Sequence, residues 1–132
     1  MQDFTHERFH LSITIRGQPR LMILRKTDNY IKVCMNTWLL CEACVHSEMK
    51  NLLPKEKLIK RCRDCAQSCL SVVALFINDP VTIQKNVFDC FLYCRECYNE
   101  CMLHPEEDIE YCGSICDHCA DTIKELMFFH LN

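Results

Sequence analysis

A chain of 132 residues with a formal charge of −3, 25% charged and 49% hydrophobic residues describes one soluble, mildly acidic globular domain. Acidic residues outnumber basic ones by 18 to 15 with no long basic run, which argues against a nucleic-acid partner; no stretch approaches the ~18 apolar residues of a membrane span, and the segment MQDFTHERFH does not read as a basic region followed by an apolar one, so a cytosolic protein is expected. Thirteen cysteines are the anomaly: such density normally marks a small secreted disulfide scaffold, but two glycines, four prolines and an odd cysteine count fit reduced thiols in a helical cytoplasmic protein instead.

In chain order, residues 1–28 stand apart as an N-terminal extension. LSITIR and RLMILR are short apolar runs flanking Gly17, Gln18 and Pro19, a pattern that reads either as a hairpin or other short element, or as an arm. From 29 to 132 the periodicity is helical. Pro54, Pro80 and Pro105 each sit in a short polar break ahead of a long periodic segment, and proline is tolerated in the first turn of a helix. Four helices are expected near Asn29 to Asn51, Lys55 to Asn78, Val81 to His104 and Glu106 to Phe129, with Asp79 and the run Glu106, Glu107, Asp108 favouring helix starts. Connections this short turn successive helices antiparallel. The expected fold is therefore all-α, an antiparallel up-down-up-down four-helix bundle behind a short N-terminal extension.

Within each helix the cysteines recur at spacings of 3, 4 and 7: Cys34, Cys41, Cys44; then Cys62, Cys65, Cys69; then Cys90, Cys94, Cys97, Cys101; then Cys112, Cys116, Cys119. These spacings define one face, and the same faces continue into apolar residues such as Leu58, Val72, Phe76, Val87, Ile109 and Ile123. The cysteine face is the core face. Counting ~1.5 Å of rise per residue inward from the end holding the first and third connections, Cys44, Cys62, Cys97 and Cys112 fall ~9 to 11 Å deep. Cys41, Cys65, Cys94 and Cys116 follow at ~15 to 17 Å, and Cys69, Cys90 and Cys119 at ~20 to 21 Å, where the first helix offers Thr37 or Trp38. Cys101 lies nearest that end. Beyond the column, Val72, Phe76, Ile83, Val87, Ile123 and Leu126 would close the far end as an apolar plug, and Cys34 falls among them as the ligand expected to matter least.

Any one inward cysteine is an ordinary small hydrophobe. Three stacked layers of facing thiols pack less volume than leucine and carry an oxidation hazard, so a ligand role explains them better. Soft sulfur selects Cu(I), zinc or iron–sulfur clusters. A zinc ion in a four-thiolate site leaves a charge of −2, and three such sites would bury about −6, at a large desolvation cost. One Cu(I) per thiolate leaves the whole load neutral, and two-coordinate copper fits cysteines three or four apart on one helix.

The patterns C-x6-C-x2-C at Cys34 to Cys44, C-x2-C-x3-C at Cys62 to Cys69, C-x3-C-x2-C-x3-C at Cys90 to Cys101 and C-x3-C-x2-C at Cys112 to Cys119 make the chain resemble the cysteine-rich four-helix-bundle copper storage proteins, in particular their cytosolic members, over about Asn29 to Asn132. The resemblance implies a non-enzymatic store that fills its core with multiple Cu(I) ions and often assembles as a homotetramer. It also implies copper entry at one end of the bundle, where Cys101 and His104 match, with His46, Met49 and Met102 nearby. A copper chaperone or a small-molecule thiol is the expected exchange partner.

Helical geometry places His46, Met49 and Met102 away from the centre of the cysteine face, and His118 outward. Glu48 points inward near the entry end, as a solvated rim charge or a cation-attracting gate. Lys60, Arg61 and Arg63 flank Cys62, either as a solvated basic face or as charges that lower its thiol pKa. The alternative is an iron–sulfur or zinc-binding redox protein of ferredoxin-like type, but no βαβ context is present and no proline follows Cys101. No Ser/His/Asp set, Gly-rich phosphate loop or H-E-x-x-H motif gives catalysis a foothold.

Overall fold

The structure, a computed structural model, describes residues 20–78 and 83–129, with side chains over 26–76 and 85–127. Within them the chain forms four helices, α1 (Arg20–Glu48), α2 (Glu56–Asn78), α3 (Ile83–Cys101) and α4 (Glu107–Phe129), and no strand. No helix is long and apolar enough to cross a membrane among the described residues. Each helix packs on the next, and α1 closes the ring against α4. Thiol pairs between α2 and α3 run Cys62 with Cys97, Cys65 with Cys94 and Cys69 with Cys90. One number rises as the other falls, which is the signature of neighbours running antiparallel.

The first helix begins nine residues earlier than the expected Asn29. RLMILR, read above as part of a hairpin, other short element or arm, forms its opening turns. Leu, Met and Arg are strong helix formers and only Ile23 in that run is β-branched, so local preference already favoured helix. Residues 1–19, with LSITIR, lie outside the described residues, as does the break at Asp79 and Pro80.

Both helices that run toward the first and third connections stop three residues short of expectation, α1 at Glu48 rather than Asn51 and α3 at Cys101 rather than His104. Leu53 and His104 each precede a proline, which disfavours helical backbone there. The chain unwinds through tighter bonds instead, from Asn51 N to Glu48 O (3.1 Å) and from His104 N to Cys101 O (3.1 Å). Glu48, buried at this turn, accepts hydrogen bonds from the Lys55 backbone N–H (2.9 Å) and the Asn51 amide (3.1 Å). Lys55 Nζ then reaches Glu106 at 3.0 Å, tying both connections together. Glu48 is thus a clamp for the turn, neither a free rim charge nor a gate.

At the opposite end the plug is in place: Val72, Phe76, Val87, Ile123 and Leu126 are buried, while the side chain of Ile83 lies outside the described set. Tyr30 of α1 joins them. Its ring stacks on Phe76, centroids 5.8 Å apart and planes within 9°, and its hydroxyl donates to Glu125 Oε1 at 3.2 Å. Burial first, and then the Glu125 carboxylate, push the Tyr30 phenol up to about 12. On the outer face of α3 and α4, Arg95 lies over Phe91 (5.3 Å), bonds Asp117 and reaches Asp121 at 2.7 Å.

Candidate metal centre

Because the cysteines recur at helical spacing on four inward stripes, the bundle axis becomes a column of sulfur. All thirteen are free thiols, and all but Cys44 are buried. Their Sγ atoms fall into five groups whose members lie within 4.8 Å of one another: Cys34, Cys69, Cys90, Cys119; Cys65, Cys69, Cys94; Cys41, Cys65, Cys97, Cys116; Cys41, Cys62, Cys112; and Cys62, Cys97, Cys101. Each group shares a cysteine with another. The closest contacts between helices are Cys41 with Cys116 and Cys65 with Cys94, both at 3.6 Å, then Cys62 with Cys97 at 3.7 Å, and Cys69 with Cys90 and Cys65 with Cys116, both at 3.8 Å.

Cys34 is misplaced by the sequence-based count. Rather than sitting in the plug, it completes the deepest four-thiol group with Cys69, Cys90 and Cys119. The reason is the earlier end of α1: counted from Glu48 instead of Asn51, Cys34 lies ~21 Å deep rather than ~25 Å, level with Cys69. Thr37, expected beside that layer, is buried but returns its hydroxyl to Val33 O at 2.8 Å, so its oxygen is committed to its own helix. The same shift moves Cys44 outward. It is half-buried and belongs to none of the five groups. The layers also interlock more than expected, with Cys97 serving both the Cys65 level and the Cys101 level.

The thiols shift one another's pKa along the column. A thiol that donates to a neighbouring sulfur holds its proton more tightly, and one that accepts releases it more easily. Cys112 is drawn down, first by the neighbouring Cys101 thiol and then by Cys116, Cys41 and Cys44. Cys41 and Cys44 are both pushed up to about 12, each first by the Cys112 thiol. Cys62 is raised by Cys101 and Cys112 and then by burial. The bases beside Cys62 do not offset this, because they face outward: Lys60 pairs with Asp64 (2.8 Å), Arg61 with Glu96 (3.1 Å), and Arg63 approaches Met49 Sδ (3.2 Å).

At the end with the connections, Cys101 is fully buried. His104 turns Nε2 to Glu100 at 3.1 Å and belongs to none of the thiol groups. His46, Met49, Met102 and His118 are exposed. Sequence reasoning missed Gly113, where a Cβ would lie 2.7 Å from Cys101 Cβ and 3.0 Å from Met102 Cε. One of only two glycines in the chain, inside a helical run and next to Cys112, was the available signal: α3 and α4 approach too closely there for any side chain.

Such a column offers soft, anionic, closely spaced donors and no hard oxygen ligand within the five groups, the chemistry of a thiophilic metal. The sulfurs line straight helices, unlike the loop cage of a ferredoxin-type cluster. No curated protein and no solved structure matches the chain significantly. A sequence-family model described as copper storage protein matches residues 24–128, a span that contains every cysteine and most of all four helices. The chain belongs to the copper storage protein family.

Proposed function

We propose that the bundle stores many copper ions as Cu(I), bound by the thiolates of Cys34, Cys41, Cys44, Cys62, Cys65, Cys69, Cys90, Cys94, Cys97, Cys101, Cys112, Cys116 and Cys119, and that it does so without catalysis. The observation that carries this reading is the overlap of the five thiol groups. Isolated tetrahedral zinc sites need closed sets of four ligands, whereas shared thiols suit a metal that accepts two or three sulfurs and leaves one charge per thiolate neutralised. His104, held by Glu100, stays outside the ligand set.

A reducing compartment such as the cytoplasm suits thirteen free thiols. The exchange partner is a copper chaperone or a small-molecule thiol. A homo-oligomer, a tetramer by resemblance, is supported by Leu39 on α1 and Phe88 and Leu92 on α3, which are large apolar side chains left exposed. Anaerobic titration of the reduced protein with Cu(I) against a competing chelator tests the central claim. About a dozen ions are expected. Saturation at about three or four, with tight competition by zinc, would overturn it.

A further inference from the structure

The bundle end next to the two described connections is closed. Leu58 in the first turn of α2 is wholly buried, and Ile109 in the first turns of α4 is buried too. They stand one turn above Cys62 and Cys112 on the same faces. Outside them, Glu48, Lys55 and Glu106 form a chain of bonds from α1 to the start of α4, and Glu100 holds His104. Cys101, the cysteine nearest the end of α3, has no exposed surface. The far end is sealed by Tyr30, Phe76, Ile123 and Leu126.

The side of the bundle differs. Of the four neighbouring helix pairs, α1 and α4 share the shortest stretch of close backbone approach. Cys44, on α1, is the one thiol of thirteen that is not fully buried. Around it Ala43 and Ser47 are exposed and Leu40 only half-buried. Directly across the seam, Cys112 points Sγ at Leu40 O (3.9 Å), and Leu40 lies one turn before Cys44 on the same side of α1. Cys112 and Cys62 in turn belong to the group that contains Cys41.

We propose that copper enters and leaves sideways, through the seam between α1 and α4, with Cys44 as the first protein thiolate it meets. This rests on the storage reading above. A Cu(I)–thiolate donor approaches the exposed sulfur, one Cu–S bond to the donor breaks as one to Cys44 Sγ forms, and the Cys44 proton passes to the released donor thiolate. Copper stays Cu(I) throughout. The ion then moves to Cys112 and Cys62 by the same exchange, entering the overlapping groups. Access selects Cys44, since exchange rate depends on whether a donor can reach the sulfur, and helices with few close contacts between them part by small local fluctuations.

Two measurements test the port. Metal-free, reduced protein treated with one equivalent of a bulky maleimide should carry the label on Cys44 by peptide mass spectrometry; label concentrated on Cys101 would overturn the proposal. In stopped-flow transfer from Cu(I) held by glutathione, Cys44→Ser should slow the initial phase about tenfold or more while capacity falls by about one ion. His104→Gln, at the closed end, should load at the wild-type rate. A Cys44→Ser variant that loads as fast as wild type, or a His104→Gln variant slowed in its place, would refute side entry and leave storage standing. Failure of the wild-type protein to take up copper would instead refute storage itself.

Discussion

Tyr30 and Phe76 lie face to face across the closed end of the bundle, 5.8 Å between ring centroids, although they come from different helices and are 46 positions apart. With Val72, Val87, Ile123 and Leu126 they make an apolar core that contains no sulfur. Such a core stabilises the fold without metal, in contrast to a zinc finger. Reduced, metal-free protein should give a strongly helical far-ultraviolet circular dichroism spectrum, and Phe76→Ala should cost about 3 to 5 kcal/mol in chemical denaturation while leaving the copper number nearly unchanged. A random coil that becomes helical only with copper would contradict this.

Cys34 tests the register of α1. Placed with Cys69, Cys90 and Cys119, it should behave as a full ligand: Cys34→Ser should remove about one copper or more, comparable to Cys69→Ser. Copper analysis after anaerobic loading and desalting decides this. An undiminished load would return Cys34 to the plug.

The stripes, the four helices and the identity of the lining residues were legible from the 3, 4 and 7 spacing alone, because a helix converts that spacing into a face. Depth was not legible to better than a turn. The ends of α1 and α3 depend on how the chain unwinds before Pro54 and Pro105, and three residues of error there moved Cys34 by ~4.5 Å, a full layer. The status of Cys101 was hidden for another reason. Its distance from the helix end suggested exposure, but Leu58, Ile109 and the tight approach at Gly113 come from other helices, and no local pattern announces them.

Gly113 should resist substitution. Alanine gains about 1 kcal/mol of helix propensity over glycine, but its Cβ would stand 2.7 Å from Cys101 Cβ, and overpacking of this kind costs about 1 to 3 kcal/mol. Gly113→Ala should therefore be neutral to destabilising in urea titration and should spread α3 from α4 beside Cys101. A clear gain in stability would show that the helices separate there at no cost.

Glu48 makes part of the stability pH-dependent. Burial pushes its carboxyl up, but the Lys55 backbone N–H, the Asn51 amide and the Lys55 charge outweigh burial and hold it below the ordinary value of 4.5. A lowered folded value means the contribution is complete above the ordinary value and is lost as pH falls through the folded one. Wild type should exceed Glu48→Gln in stability at neutral pH, and the gap should narrow as the pH falls below the ordinary glutamate value. Denaturation midpoints measured across that range provide the check; a gap that widens with acid would reverse the assignment.

On the storage reading, the sharing of Cys69, Cys65, Cys41, Cys97 and Cys62 between groups would make the interior a continuous conductor of copper. An ion held at one level would keep one sulfur of its present group while taking up a sulfur of the next, and so would travel along the axis one bond at a time without returning to water. Fewer thiols serve the five groups than five separate sites would need, so bridging sulfurs would hold neighbouring ions close together and the loss of one bridging cysteine would weaken two levels at once. A medium connected in this way can be filled and drained through a single opening.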